Sequence, residues 1–155
     1  MEVFDRLVDR QYHAMSAASL AWAAFAFGNI RTAARLAVDS LVETRDMLDL
    51  GTTTISLHIG VLLGALIGQF EEAATIHGAF DALCDRYGVR PPAALETFVG
   101  GTDAFRLTME GIDSGAHAAA YERGRRMTLD EALDLVVRLG DLVDDQLDDR
   151  GTMPA

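Results

Sequence analysis

Two glycines, Gly28 and Gly68, stand 40 residues apart, and each is followed five residues later by an alanine pair, Ala33-Ala34 and Ala73-Ala74. The flanking segments align as GNIRTAARLAVDSL and GQFEEAATIHGAFDAL. A glycine lets the chain turn tightly, and small residues beyond it let two helices approach closely. A helix-turn-helix unit recurring at this period predicts an all-α helical-repeat array, in which each unit covers the apolar face of the next.

Apolar periodicity sets the expected elements. A first helix spans 3–27, opening on Phe4, Leu7 and Val8, with Leu20, Ala21, Ala24 and Phe27 continuing its seam. A second spans 30–48, with Ala33, Ala34, Ala37, Leu41 and Leu48 inside and Arg31, Arg35, Asp39, Glu43 and Arg45 outside. Asp49-Leu50-Gly51 reads as its stop. The third, 53–67, contains ISLHIGVLLGALI and is apolar enough to sit at the centre of the stack. It is shorter than the ~20 residues a membrane span needs. The fourth, 70–87, turns Ala73, Ala74, His77, Phe80, Leu83 and Cys84 inward and stops at Gly88.

Pro91-Pro92 then opens a helix to about Met109, interrupted at Gly100-Gly101. Ser114 caps a short helix over 115–123. Thr128-Leu129-Asp130-Glu131 is a capping box that starts the last helix. Its stripe is Leu129, Ala132, Leu133, Val136, Leu139, Val143 and Leu147, with Asp134, Arg138, Asp141 and Asp145 outside. The sum is six to seven antiparallel helices in one domain, 1–147, with 148–155 as a disordered acidic tail.

Charge narrows the partners. The 155-residue chain carries a net charge of −11, and every basic side chain is arginine. That balance lacks the basic face that nucleic acid or an anionic membrane surface requires. Without lysine there is no G-x-x-x-x-G-K-[ST] phosphate loop. Cys84 is the only cysteine, so no internal disulfide forms. The N-terminus, MEVFDRLVDRQ, is charged where an export signal is apolar, which predicts a cytoplasmic protein. Alanine richness with arginine in place of lysine matches a GC-rich bacterial genome.

A family resemblance rests on GQFEEAATIHGAFDALCDRYGVRPPAALETF followed by AHAAAYERGRRMTLDEALDLVV. These stretches resemble the C-terminal tetratricopeptide-like repeat region of large bacterial STAND-class ATPase regulators, including LuxR-type transcriptional regulators and cyclase-linked ATPases. The repeat ending of that region, A-A-x-aromatic-x-x-G-R-x-M-T-L-D-E-A, is met from Ala118 to Ala132. The resemblance covers about Gly68 to Val137. It implies a scaffold that senses or transmits through protein contacts, in a piece of such a regulator or a free-standing relative. ATP hydrolysis and DNA binding do not carry over, because the phosphate loop is missing and no DNA-binding helix-turn-helix follows the last helix.

Few residues offer chemistry. His13, His58, His77 and His117 make no i, i+3 or i, i+4 metal pair, and no metal or cofactor is expected. Trp22, Phe25, His58 and His77 are candidates for a ligand pocket between helices. Arg123, Arg125 and Arg126 form a basic cluster that suits an anion or an acidic partner. The expected function is a non-catalytic protein-interaction module of a bacterial signal-transduction or transcriptional regulator. The alternatives are a small-ligand-sensing domain and a small enzyme with a buried histidine site. The first helix, AMSAASLAWAAFAFG over 14–28, is apolar on nearly every side. Its cover is expected from a protein partner or from self-association through 3–27, most simply as a twofold homodimer.

Overall fold

The computed structural model of the chain describes residues 2–47, 49–89 and 104–150. Among these there are seven helices and no strand. They are α1 (Glu2–Ala26), α2 (Ile30–Thr44), α3 (Leu50–Leu66), α4 (Phe70–Tyr87), α5 (Ala104–Glu110), α6 (Ser114–Arg125) and α7 (Leu129–Arg150).

The 40-residue spacing has a structural counterpart in two matching turns. Gly28 and Gly68 adopt φ of 75° and 77°, which a residue with a Cβ enters only at a cost. In both turns the second residue donates back to the sixth-last position: Asn29 N to Ala24 O and Gln69 N to Gly64 O, each at 2.8 Å. This closes a Schellman-type end on α1 and on α3. The chain then reverses. His13 of α1 pairs with Glu43 of α2, and a Cβ on Gly64 of α3 would lie 3.0 Å from that of Ala73 of α4. Both hairpins are therefore antiparallel.

Alanine decides which face of α1 turns inward. Ala14, Ala17, Ala18 and Ala21 are buried, as are Ala33, Ala34 and Ala37 of α2, the helix that α1 packs against. Small side chains on both helices permit a close approach that bulky ones would block. Trp22 and Phe25 join the core at one edge. The expected seam through Leu20 and Phe27 is corrected: these side chains are 57% and 89% exposed. The alanine face packs more closely than the leucine face, and it takes the inner position.

Helix α3 is the centre of the molecule. It packs against α1, α2, α4, α5 and α7, and every residue from Thr52 to Ala65 is buried except Ile55, which is half-buried. Two of its buried hydroxyls find partners in different ways: Thr54 donates to the Gly51 carbonyl within the helix at 2.9 Å, and Ser56 donates across to Ser40 of α2 at 3.3 Å. The last helix, α7, returns across α2, α3 and α4. Ala132, Leu133, Val136, Leu139 and Val143 are buried as the stripe predicts, and Leu135 joins them. In an open solenoid each repeat meets only its neighbours. Here α7 reaches past the second hairpin to the first, which closes the array into one core. Arg45, at the end of α2, fastens this return by donating to Asp130 at 2.9 Å and Asp134 at 2.6 Å.

Three local expectations are corrected. Helix α2 ends at Thr44, and Asp49 does not stop it. Asp49 caps α3, accepting from Thr52 N at 3.2 Å and Thr52 Oγ1 at 2.9 Å. A short acidic side chain ahead of an apolar run is a better helix start than a stop. Asp113 rather than Ser114 caps α6, accepting from Gly115 N at 2.9 Å. Of the expected helix from Pro91 to about Met109, the part up to residue 103, with its break at Gly100-Gly101, lies outside the described residues, and α5 is the part that is described; Leu48 lies outside as well. Helix α7 runs on to Arg150, and 151–155 of the expected tail lie outside as well.

Candidate functional site

The residues singled out by sequence fall into three places. Trp22, Phe25 and His58 are brought together. The ring centroids of Trp22 and His58 lie 5.3 Å apart, Trp22 meets Phe25 edge-on at 6.4 Å, and His58 meets Phe80 edge-on at 5.8 Å. All four side chains are buried and belong to the core. They fill the space between α1, α3 and α4 with rings. Trp22 Nε1 is buried there with no hydrogen-bond partner among the described residues.

His77 is not with them. It sits one turn before Phe80 on α4, in a seam that α4 makes with α6. The two helices touch backbone to backbone, because Gly78 and Gly124 supply no side chain at the crossing. That closeness brings polar side chains into register. Tyr121 donates its hydroxyl to Asp81 Oδ2 at 2.7 Å, and His77 Nε2 lies 3.5 Å from the same oxygen. The His77 ring meets Tyr121 edge-on at 5.2 Å, and His117 stacks on it at 6.3 Å. Burial, then the hydrogen bond to Asp81, pushes the Tyr121 phenol above its usual range, against a smaller opposing pull from Arg125.

The three arginines of the basic turn do not act as a cluster. Arg123 donates to Glu71 at 2.9 Å and Thr75 at 3.0 Å. Arg125 donates twice to Asp85, at 3.0 and 3.1 Å, and Tyr121 and Asp85 together hold it firmly protonated. Arg126 is 80% exposed and lies 3.9 Å from Glu122. The sequence reading missed Asp81, Tyr121 and His117. Asp81 meets Tyr121 and Asp85 meets Arg125 across two helices that share no turn.

A cleft of about 40 Å³ lies between α4, the end of α6 and the start of α7, lined by Leu83, Arg86, Arg125, Met127, Leu129 and Ala132. It has room for a few waters, far from the ~300 Å³ or more of a metabolite pocket. The α7 terminus beside it is already satisfied. Glu131 Oε2 accepts from Thr128 N at 2.7 Å, and Glu131 N donates to Thr128 Oγ1 at 3.3 Å. Among the described residues no group of three or more His, Cys, Asp or Glu side chains is placed to hold a metal ion, and no helix is long and apolar enough to cross a membrane.

The third place is the outer face of α1. Tyr12, Met15, Leu20 and Phe27 are 62%, 45%, 57% and 89% exposed. Between His13 and Arg31 no charged side chain occurs. No protein-family model, curated protein or solved structure matches the chain.

Proposed function

We propose that this chain is a non-catalytic protein-interaction module, of the tetratricopeptide-like kind that serves bacterial signal-transduction and transcriptional regulators in the cytoplasm. The observation that carries the reading is the outer face of α1. Of the nine large apolar side chains exposed among the described residues, four, Tyr12, Met15, Leu20 and Phe27, fall along this one stretch, while the other five fall one to a helix on α2, α3, α4, α5 and α7. Exposed apolar surface of this kind marks a contact site more often than a reaction site. The repeated Schellman turns and the family resemblance over Gly68 to Val137 support the same reading.

The test compares the intact chain with its Leu20→Asp and Phe27→Asp variants in sedimentation velocity, alone and mixed with the product of any neighbouring ATPase or cyclase gene. Association that both substitutions abolish, at unchanged melting temperature, is the expected result. A stoichiometric calorimetric response to Mg-ATP by the chain alone would overturn it.

A second reading, small-ligand sensing, draws on one observation. Among the described residues the buried Trp22 Nε1 has no acceptor, and a ligand oxygen beside His58 would supply one. Trp22 is the only tryptophan. A saturable change in its fluorescence with a candidate metabolite would favour sensing over scaffolding.

A further inference from the structure

The outer face of α1 has a pattern along its length that selects its occupant. At ~100° per residue, Tyr12, Ser16, Ser19, Leu20, Ala23 and Phe27 fall within one stripe facing away from the core, and all six are exposed. Met15 borders it. The stripe spans about 22 Å at the helical rise. Read from either end its side chains run in the same order of size: a ring, a small residue, the Ser19-Leu20 centre, a small residue, a ring. A twofold rotation between Ser19 and Leu20 therefore lays this order on itself, ring opposite ring and small residue opposite small residue.

We propose that a second copy of this chain docks on this stripe, with the two α1 helices antiparallel and the twofold axis passing between Ser19 and Leu20. Tyr12 of each copy then lies across from Phe27 of the other, and Ser16 across from Ala23. This inference rests on the interaction-module reading and names its partner.

Three observations bear on a copy in this place. The first is charge. A chain of net charge −11 repels its own copies over most of its surface. The stripe is where that repulsion is weakest, for no charged residue lies from Ala14 to Ile30. The same register gives an attraction at each end. It brings the exposed Asp9 over the N-terminal end of the partner's α2. That first turn has no acidic side chain and carries the positive end of the helix dipole, while its Arg31 is already paired with Asp144 of α7 at 3.2 Å.

The second is hydrogen bonding. Ser19 at the axis already donates its hydroxyl to the Met15 carbonyl at 2.9 Å. A copy can cover it without leaving a donor unpaired.

The third is area. With Phe27, Tyr12, Leu20 and Met15 exposed to the extents given above, covering them removes on the order of 500 Å² per copy, or about 1,000 Å² in all. That lies just under the ≈1,200 Å² at which stable specific interfaces begin, and it fits a reversible dimer.

Sedimentation velocity over the micromolar range should show a concentration-dependent monomer–dimer equilibrium. Leu20→Asp should weaken it at least about tenfold, since it sets two charges against each other at the axis. Its helicity and melting temperature should not change, because Leu20 does not enter the core.

Register is read with a short bis-maleimide. Cys84 is buried, so an introduced thiol is the reactive one. Ser19→Cys should link to itself, and Tyr12→Cys should link to Phe27→Cys in a mixture but not to itself. A Tyr12→Cys self-link means parallel helices and overturns the proposal. So does a dimer indifferent to Leu20→Asp. A monomer at every concentration that binds a different protein through Leu20 overturns the second copy and leaves the interaction module standing. A monomer that binds nothing through this face overturns both.

Discussion

Gly78 and Gly124 meet backbone to backbone where α4 crosses α6. A Cβ on Gly78 would overlap the Tyr121 carbonyl, and one on Gly124 would overlap the Thr75 carbonyl. The obstacles are main-chain atoms of a helix, which cannot rotate away as a side-chain tip can. Gly78→Ala should therefore push the two helices apart and cost roughly 3 kcal/mol, the upper part of the range for overpacking. Urea denaturation measures it. Gly51→Ala is the control: its Cβ meets only Asp49 Oδ1 at an ordinary 3.4 Å, and stability should stay level or rise by up to about 1 kcal/mol. Equal behaviour of the two variants would mean that α4 and α6 do not touch as described.

Leu133 is 2% exposed, at the place where α7 crosses the core. Leu133→Asp puts an unpaired carboxylate there and should destabilise the fold by several kcal/mol. Because α7 spans both hairpins, the loss should appear as one shifted transition rather than as melting of a single helix. Thermal melting followed by circular dichroism decides this. A melting curve like the parent's would show that the inner stripe of α7 is misplaced.

Tyr121 makes stability fall at alkaline pH. Its phenol is raised above its usual value in the folded state, first by burial and then by the bond to Asp81. A group raised on folding contributes fully below its unfolded value, near ~10, and the contribution is lost as pH climbs through the folded one. Tyr121→Phe should cost about 1 kcal/mol at neutral pH, the typical net value of one hydrogen bond. Its stability should then decline less steeply than the parent's above the tyrosine range. Melting temperatures of both proteins across that range provide the check, and parallel curves would remove Tyr121 from the pH response.

Much of this architecture was legible in the chain. The glycine interval foretold two turns of the same geometry, because the positive φ at Gly28 and Gly68 favours a residue without a Cβ. The capping box at Thr128 and Glu131 forms as the spacing requires, since its partners lie within one turn. The face of α1 was harder. An alanine-rich helix offers periodicity nearly everywhere, and only the alanines waiting on α2 decide which side packs. Asp49 was ambiguous for a related reason, because a residue between two helices can be a stop or a cap and its identity alone does not choose.

The candidate site was less legible. Trp22, Phe25 and His58 do converge, but they pack into the core rather than around an open pocket. The arginine run reads as a patch along the chain, yet a helix end and a turn send Arg123, Arg125 and Arg126 to three different acids. The Asp81–Tyr121 contact depends on two helices with no turn in common, and pairing across such a distance leaves no local trace.

The order in which the covers of α3 are made has a consequence during synthesis. This helix is buried along nearly its whole length, and one of its covers, α7, is the last of the described helices. A nascent chain that has released both hairpins still shows the ribosome's surroundings a strip of α3 and α2 that only α7 will close. Such half-covered intermediates are the ones that aggregate or recruit chaperones. Translation halted before Leu129 should therefore leave a species recognised by the quality-control machinery, however well its first two hairpins have formed.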